Sequence, residues 1–299
     1  MDTRFLESLL AVVETGSIAG AARRQNLTAT AVSQRMRALE QELGCELLSR
    51  GAHSAAPTEA CLALLPRAQA LLREASLLHA DVRRESLSGE MRIGAISTVL
   101  TSLVPHLLHE SADKAPDLKL KLLPGSSSHL YEQLVSGQID AAILVTPPFT
   151  LPKTLTSVPL RSEPLVFISD GAPTRRTVSA RVAEEPFIRY DSSSWGGQLA
   201  QAYLRHLRLE PDVRFDLDAL ETISLLVSKG LGNALVPFWP GLEQTGVALT
   251  ELPDAQAFAR GIVLLHASLP ARPRAMGLLR DIAVSAASEI GPSAFAAGG

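Results

Sequence analysis

Cysteine is close to absent. Cys45 and Cys61 are the only two in 299 residues, and none follows residue 61. A disulfide framework is thereby excluded. Long apolar runs are missing as well. The longest uncharged window, IGAISTVLTSLVPHLLH, carries Ser, Thr, Pro and His and does not read as a membrane span. The opening MDTRFLESLL has no basic segment ahead of an apolar run, so no signal peptide is expected and a cytoplasmic protein is. Catalytic signatures are lacking too. PGSSSH lacks the second glycine of a GxSxG elbow, and no Walker loop or GxGxxG occurs. His106, His109 and the adjacent Glu110 have no evident third ligand for a metal. The expectation is therefore no enzyme, no catalytic residue, no metal and no cofactor. The net charge of -3 names no partner, and only its local distribution can.

That distribution is uneven in one place. Between Glu14 and Glu40 no acid occurs, while Arg23, Arg24, Arg35 and Arg37 do. Phe5, Leu6, Leu9, Leu10 and Val13 predict a helix over about 2–15, which Gly16 stops. Ser17 can cap a short second helix, with Ala21 and Ala22 inward. After NLT, Thr28 or Thr30 can cap a third, carrying Val32, Met36, Leu39 and Leu43 inward until Gly44. This is a helix-turn-helix pattern. On the third helix Thr30, Ser33, Gln34 and Arg37 lie off the apolar stripe, with Arg35 beside them. These side chains can bond base edges or phosphate, and an acid among them would repel the duplex.

The run FLESLLAVVETGSIAGAARRQNLTATAVSQRMRALEQELGCELLSR, continuing to PTEA, resembles the N-terminal domain of LysR-type transcriptional regulators. The resemblance implies a winged helix-turn-helix that reads duplex DNA in the major groove. By position it makes Arg23, Thr28, Thr30, Ser33, Gln34, Arg35, Arg37, Arg50 and His53 the candidate DNA contacts. Two departures stand out. Ala29 and Thr30 occupy positions where the family often has Gln and Pro, and the wing RGAHSAAPTEA offers only Arg50 and His53.

After Pro57, Thr58 can cap a long helix. Cys61, Leu64, Ala68, Leu71, Ala75, Leu78 and Val82 form a heptad seam, which predicts a pairing helix over 59–88, with Pro66 as a potential kink. A core helix of one domain is the alternative. From Met91 onward, strand and helix patterns alternate, which predicts a parallel α/β sheet. The fold class expected is α+β multidomain. A winged helix-turn-helix (1–58) and a linker helix (59–88) precede an α/β effector-binding domain (89–299). That domain has two subdomains, about 91–160 with 267–291 and about 163–264. LVSGQIDAAIL and LLVSKGLGNALVP resemble the effector domain of the same family, which implies the fold of periplasmic solute-binding proteins.

In open α/β sheets ligands lie beyond the carboxyl ends of strands. Loops at such places supply Ser97, Thr98, Ser126, Ser127, Thr146, Pro147, Ser193 and Trp195, the candidate effector contacts. Their hydroxyls suit a polar or anionic small molecule. The partners expected are promoter DNA, that effector, and further copies of the chain as a homodimer or homotetramer. RNA polymerase is a candidate further partner and a membrane is not. Since no cysteine follows Cys61, the thiol switch of the family's peroxide-sensing members is excluded from the effector domain. A ligand-binding protein with a non-functional helix-turn-helix stays open as a second reading, supported by Ala29 and the poor wing.

Overall fold

The computed structural model describes residues 2–50, 55–81, 87–171 and 175–290. The chain divides into two compact units: residues 1–86 with the short segment 135–138, and residues 87–134 with 139–299.

The first unit starts with three helices, α1 (Thr3–Thr15), α2 (Ile18–Gln25) and α3 (Ala29–Leu43). Each boundary has a local cause. Asp2 caps α1 through the Arg4 amide, Ser17 caps α2 through Gly20, and Thr28 caps α3 through Ala31. Gly16 (φ +69°) takes the left-handed turn that lets the chain reverse between α1 and α2. Leu6, Leu9 and Val12 pack on Ala21, Ala22, Val32, Met36 and Leu39, all buried. A two-stranded wing follows, β1 (Leu48–Arg50) against β2 (Ala55–Pro57), antiparallel with Arg50 opposite Ala55. Its tip, including His53, lies outside the described residues.

Helix α4 (Glu59–Asp81) is capped by Thr58, whose Oγ1 accepts from the Cys61 amide at 3.2 Å, and Pro66 sits inside it without ending it. The expectation of a separate linker with one continuous pairing seam needs correction. Cys61 and Ala68 are fully buried in the same core as α1–α3, with Leu64, Leu65 and Leu72 packed against it. The first half of the seam therefore belongs to the interior of its own unit. Leu71, further along the seam, is 49% exposed. Val82, the seam's last member, lies outside the described residues.

The second unit has two lobes. Lobe I holds β3 (Gly89–Ala95), α5 (Ser97–Ser102), α6 (Val104–Lys114), β4 (Leu118–Pro124), α7 (Ser127–Val135), β5 (Ala141–Val145) and β6 (Leu155–Glu163). The chain then crosses to lobe II. That lobe holds β7 (Leu165–Ser169), α8 (Val178–Glu184), β8 (Phe187–Tyr190), α9 (Trp195–His206), β9 (Val213–Leu217), α10 (Leu220–Ser228), β10 (Ala234–Pro237) and β11 (Ala248–Glu251). It returns through β12 (Arg260–Ala267) and ends on α11 (Pro273–Glu289). The apolar cores of the lobes are distinct.

Two expectations fail here. The sheets are not uniformly parallel. In lobe I the order is β4-β3-β5-β12-β6, with β3 parallel to β4 and β5 but β12 antiparallel to both neighbours. In lobe II, β7 pairs antiparallel with β10 and β11, while β8 and β9 are parallel. The return crossing also comes earlier than expected. Residues 260–264 pair with β5 and β6 and bury Ile262, Val263 and Leu264 in the lobe I core, so they do not belong to the second subdomain. Between β3 and β4 the chain forms two helices, α5 and α6, instead of one. Pro105 has no N–H to bond the preceding turn, so the chain restarts there. Among the described residues no single helix is long and apolar enough to cross a membrane.

Candidate functional site

Two regions collect the polar residues singled out from the sequence. The first is α3. Thr28, Thr30, Gln34 and Arg37 are exposed, Ser33 is half-buried, and Arg23 is exposed in the last turn of α2. The Thr28 hydroxyl is engaged as the α3 cap, accepting from Ala31 N at 3.1 Å. The amides of Ala29 and Thr30 remain at the positive end of the helix, where they can meet phosphate.

Arg35 is placed differently from the groove-facing position expected of it. Its Nη1 donates to Ser8 Oγ at 3.0 Å and to the Arg4 carbonyl at 3.5 Å. Ser8 is fully buried in α1 and in turn donates to Gln25 Oε1 at 2.8 Å. The guanidinium thus ties α3 to α1 and to the end of α2. Glu40, the first acid after the window, is also structural: its Oε1 accepts the Leu47 and Leu48 amides at 2.9 and 3.2 Å and sets the start of the wing. The Arg50 backbone ends β1.

The second region is a cleft of about 280 Å³ between the lobes of the second unit. Ser97, Thr98, Ser126, Ser127 and Trp195 line it. Thr146, Pro147 and Ser193 do not. The chain at Thr146 is still paired with β12, its amide donating to the Gly261 carbonyl at 2.9 Å, and Pro147 is buried. Ser193 is folded onto Asp191, donating to that carboxylate through both N and Oγ at 2.8 and 2.7 Å.

Most of the lining hydroxyls also do local work. Ser126 Oγ accepts the His129 amide at 3.4 Å, and Ser127 Oγ accepts the Val145 amide at 3.2 Å. Ser194 caps α9 by accepting from Gly197 N at 3.1 Å. Tyr190, Asp218 and Arg260 also line the cleft, and sequence reasoning missed them. Asp218 follows β9 directly, so the strand-end rule could have found it. Tyr190 ends β8 in the same way. Arg260 has no such signal, because its partners Glu163 and Thr98 are far away in the chain. It is 2% exposed, donates to Glu163 Oε2 through Nε at 2.8 Å, and donates to Thr98 Oγ1 through Nη2 at 3.1 Å. Burial pushes the Asp218 carboxyl above the usual carboxylate range, with the Ser194 hydroxyl opposing part of that effect. Burial likewise raises the Tyr190 phenol.

Two of the contacts that bridge the lobes at the cleft involve residues singled out from the sequence. Ser97 Oγ donates to Glu221 Oε2 at 3.0 Å. Trp195 packs edge-on against Tyr131 and Phe149, at ring distances of 6.0 and 5.5 Å, and those two meet at 5.2 Å. His106, weighed above for metal binding, is bonded to Glu289 at 2.8 Å.

Residues 84–288 match the family described as LysR substrate binding domain, and residues 3–62 the one described as bacterial regulatory helix-turn-helix protein, lysR family. Among curated relatives, the HTH-type transcriptional regulator TtuA of Agrobacterium vitis is 28% identical over 282 residues, 88% of this chain and 92% of that protein. The DNA-binding transcriptional dual regulator OxyR of Escherichia coli K12 is 29% identical over 285 residues, 93% of this chain and 89% of that one. Among solved structures, full-length CbnR complexed with its target DNA superposes with a TM-score of 0.66 at 20% identity, over 97% of this chain and 100% of that one. A full-length OxyR variant from Pseudomonas aeruginosa gives 0.66 at 20%, over 95% and 98%.

Proposed function

The chain belongs to the LysR family of bacterial transcriptional regulators, and from that premise we propose how this member reads DNA and where it senses its effector. It is a DNA-binding regulator modulated by a small molecule. The DNA-reading surface is the exposed face of α3: Thr30, Gln34 and Arg37 reach the groove, with Ser33 at its margin. Arg23 and the free amides at the helix start meet phosphate, and Arg50 and His53 do the same from the wing. Arg35 positions the helix instead of touching bases.

The observation that carries this reading is the acid-free, exposed stripe Thr30–Gln34–Arg37 above a fully buried Val32–Met36–Leu39 stripe on the same helix. It also speaks against a degraded helix-turn-helix, because the caps, turn and core of the motif are intact. The effector binds in the cleft between the lobes, among Ser97, Thr98, Ser126, Ser127 and Trp195. In solution the chain pairs through the exposed part of α4, as dimers or pairs of dimers, so that two α3 helices meet DNA about one helical turn, or a multiple of it, apart. Regulation then proceeds in the cytoplasm, through a changed arrangement on the promoter and its contact with RNA polymerase.

Titration of the full-length protein with the DNA upstream of its own gene, at two salt concentrations, tests the DNA reading. Gln34→Ala is expected to relax base discrimination by about 1–3 kcal/mol. Arg37→Ala should weaken all sequences alike and flatten the salt dependence. Arg35→Ala should lower the melting temperature more than either, since it strips a bond from buried Ser8, and should leave base preference unchanged. Failure of the intact protein to bind any promoter fragment in dilute buffer would overturn the assignment.

A further inference from the structure

The cleft brings together charged side chains of both signs. Arg161, Glu163 and Arg260 form a buried triad. Arg161 donates to Glu163 Oε1 through Nε and Nη2 at 3.1 and 2.8 Å, while Arg260 bonds Oε2. The three side chains are 5%, 1% and 2% exposed. Two guanidinium groups therefore share a single carboxylate, leaving one positive charge in surplus, and Arg161 Nη1 has no partner. Arg260 is the member that lines the cleft, beside Thr98.

Asp218 stands in the lining, and Glu221 in the first turn of α10. Among the described residues neither makes an ion pair. Glu221 accepts from Ser97 through Oε2, but its Oε1 is shielded from solvent and unpartnered. Asp218 is open to solvent and within electrostatic reach of Arg260, and Glu221 is half-buried, so both carboxylates are accessible to a cationic group entering the cleft. A purely anionic ligand would meet the arginine and face repulsion from the carboxylates. A purely cationic one would do the reverse. A ligand carrying both charges satisfies both at once. The volume is near the lower end of ligand pockets, about 300 Å³, which restricts the occupant to a compact metabolite. Trp195 supplies an apolar surface for its body.

We propose that the effector is a small zwitterion of the amino acid class, its carboxylate on the Arg260–Thr98 side and its protonated amine between Asp218 and Glu221. This rests on the reading of the cleft as the effector site, and narrows the polar or anionic ligand expected from the sequence. Calorimetric titration of the full-length protein with the common L-amino acids tests it. The same series includes N-acetyl and carboxamide derivatives of the tightest binder, benzoate and succinate as plain carboxylates, and putrescine as a plain amine.

At least one free amino acid is expected to bind. Each blocked derivative should bind tenfold or more weakly, and Asp218→Asn should weaken the free amino acid by a similar factor while the protein stays folded. The proposal is overturned if no amino acid binds at about 10 mM, well above the millimolar range of weak ligands. It is also overturned if a plain carboxylate or amine binds as tightly as any amino acid, or if Asp218→Asn changes nothing. Ser126→Leu, which fills the cleft, separates the two layers of the argument. A plain carboxylate lost in that variant leaves the cleft as the effector site and removes the zwitterion. A ligand that binds the filled cleft unchanged removes the site itself.

Discussion

Glu163 is the last residue of β6 and Arg260 the first of β12, directly opposite each other where the chain leaves lobe I and where it returns. Their ion pair closes the base of both crossings, and Arg161 adds a second guanidinium to the same carboxylate. The three residues are unequal in consequence. Removing the carboxylate leaves two buried cations facing each other, whereas removing Arg161 leaves a neutral pair. Glu163→Gln is therefore expected to destabilise the chain by about 3–5 kcal/mol, the usual penalty for stripping one partner from a buried pair. Arg161→Met, which keeps the side-chain volume and deletes the surplus charge, should stay within about 1 kcal/mol of the parent or exceed it. Urea unfolding of the full chain compares the two. Equal losses would mean that the triad carries no excess charge.

At the scale of elements, α4 is the instructive case. Its heptad seam is genuine as a pattern, but a repeat of seven does not say which neighbour it faces. Cys61 and Ala68 face α1–α3, whereas Leu71 is exposed. Two substitutions on one seam therefore separate two roles. Ala68→Leu forces a larger side chain into a filled core and should destabilise the DNA-binding unit by about 1–3 kcal/mol. Leu71→Glu should leave the protomer's unfolding midpoint unchanged and shift the mass seen by light scattering towards a single chain. A Leu71→Glu protein that stays fully associated would place the pairing surface elsewhere. The same limit governs how much of the fold was legible beforehand. The caps at Ser17, Thr28 and Thr58, the turn at Gly16 and the buried runs of β5 and β7 are local, and local chemistry reads them directly. β6 was not foreseen, since Pro159 interrupts its strand pattern, nor was the antiparallel insertion of β12 between β5 and β6. Pairing partners separated by about a hundred residues leave no trace in periodicity. The cleft was half legible for the same reason. Hydroxyls at strand ends are found by position, but Arg260 acquires its place only through Glu163 and Thr98.

For the effector domain as a whole, the question is whether a small ligand can move one lobe against the other. Between the crossings at Glu163–Leu165 and Ala259–Arg260, the contacts that join the lobes at the cleft include the Ser97–Glu221 hydrogen bond and Trp195 against Tyr131 and Phe149. A hydrogen bond of this kind contributes about 0.5–1.5 kcal/mol net, and each aromatic contact about 0.5–1.5 kcal/mol. The bridge is therefore worth a few kcal/mol. That is comparable to the 1–3 kcal/mol over which allosteric couplings typically operate. A ligand that rearranges these contacts thus has enough leverage to choose between lobe arrangements, and a ligand indifferent to them has none. The two tryptophans make this measurable. Trp239 is 3% exposed within the lobe II core, while Trp195 sits at the bridge. Glu221→Ala, which cuts the hydrogen bond without touching either indole, is expected to shift the emission of Trp195 to the red and make it more accessible to iodide. The Trp239 component should stay fixed, as the Trp195→Phe background will show by losing the response. If the Glu221→Ala spectrum and its quenching match the parent, the lobes are held by their crossings alone, and effector signalling has to pass through the Arg260–Glu163 pair instead of across the cleft.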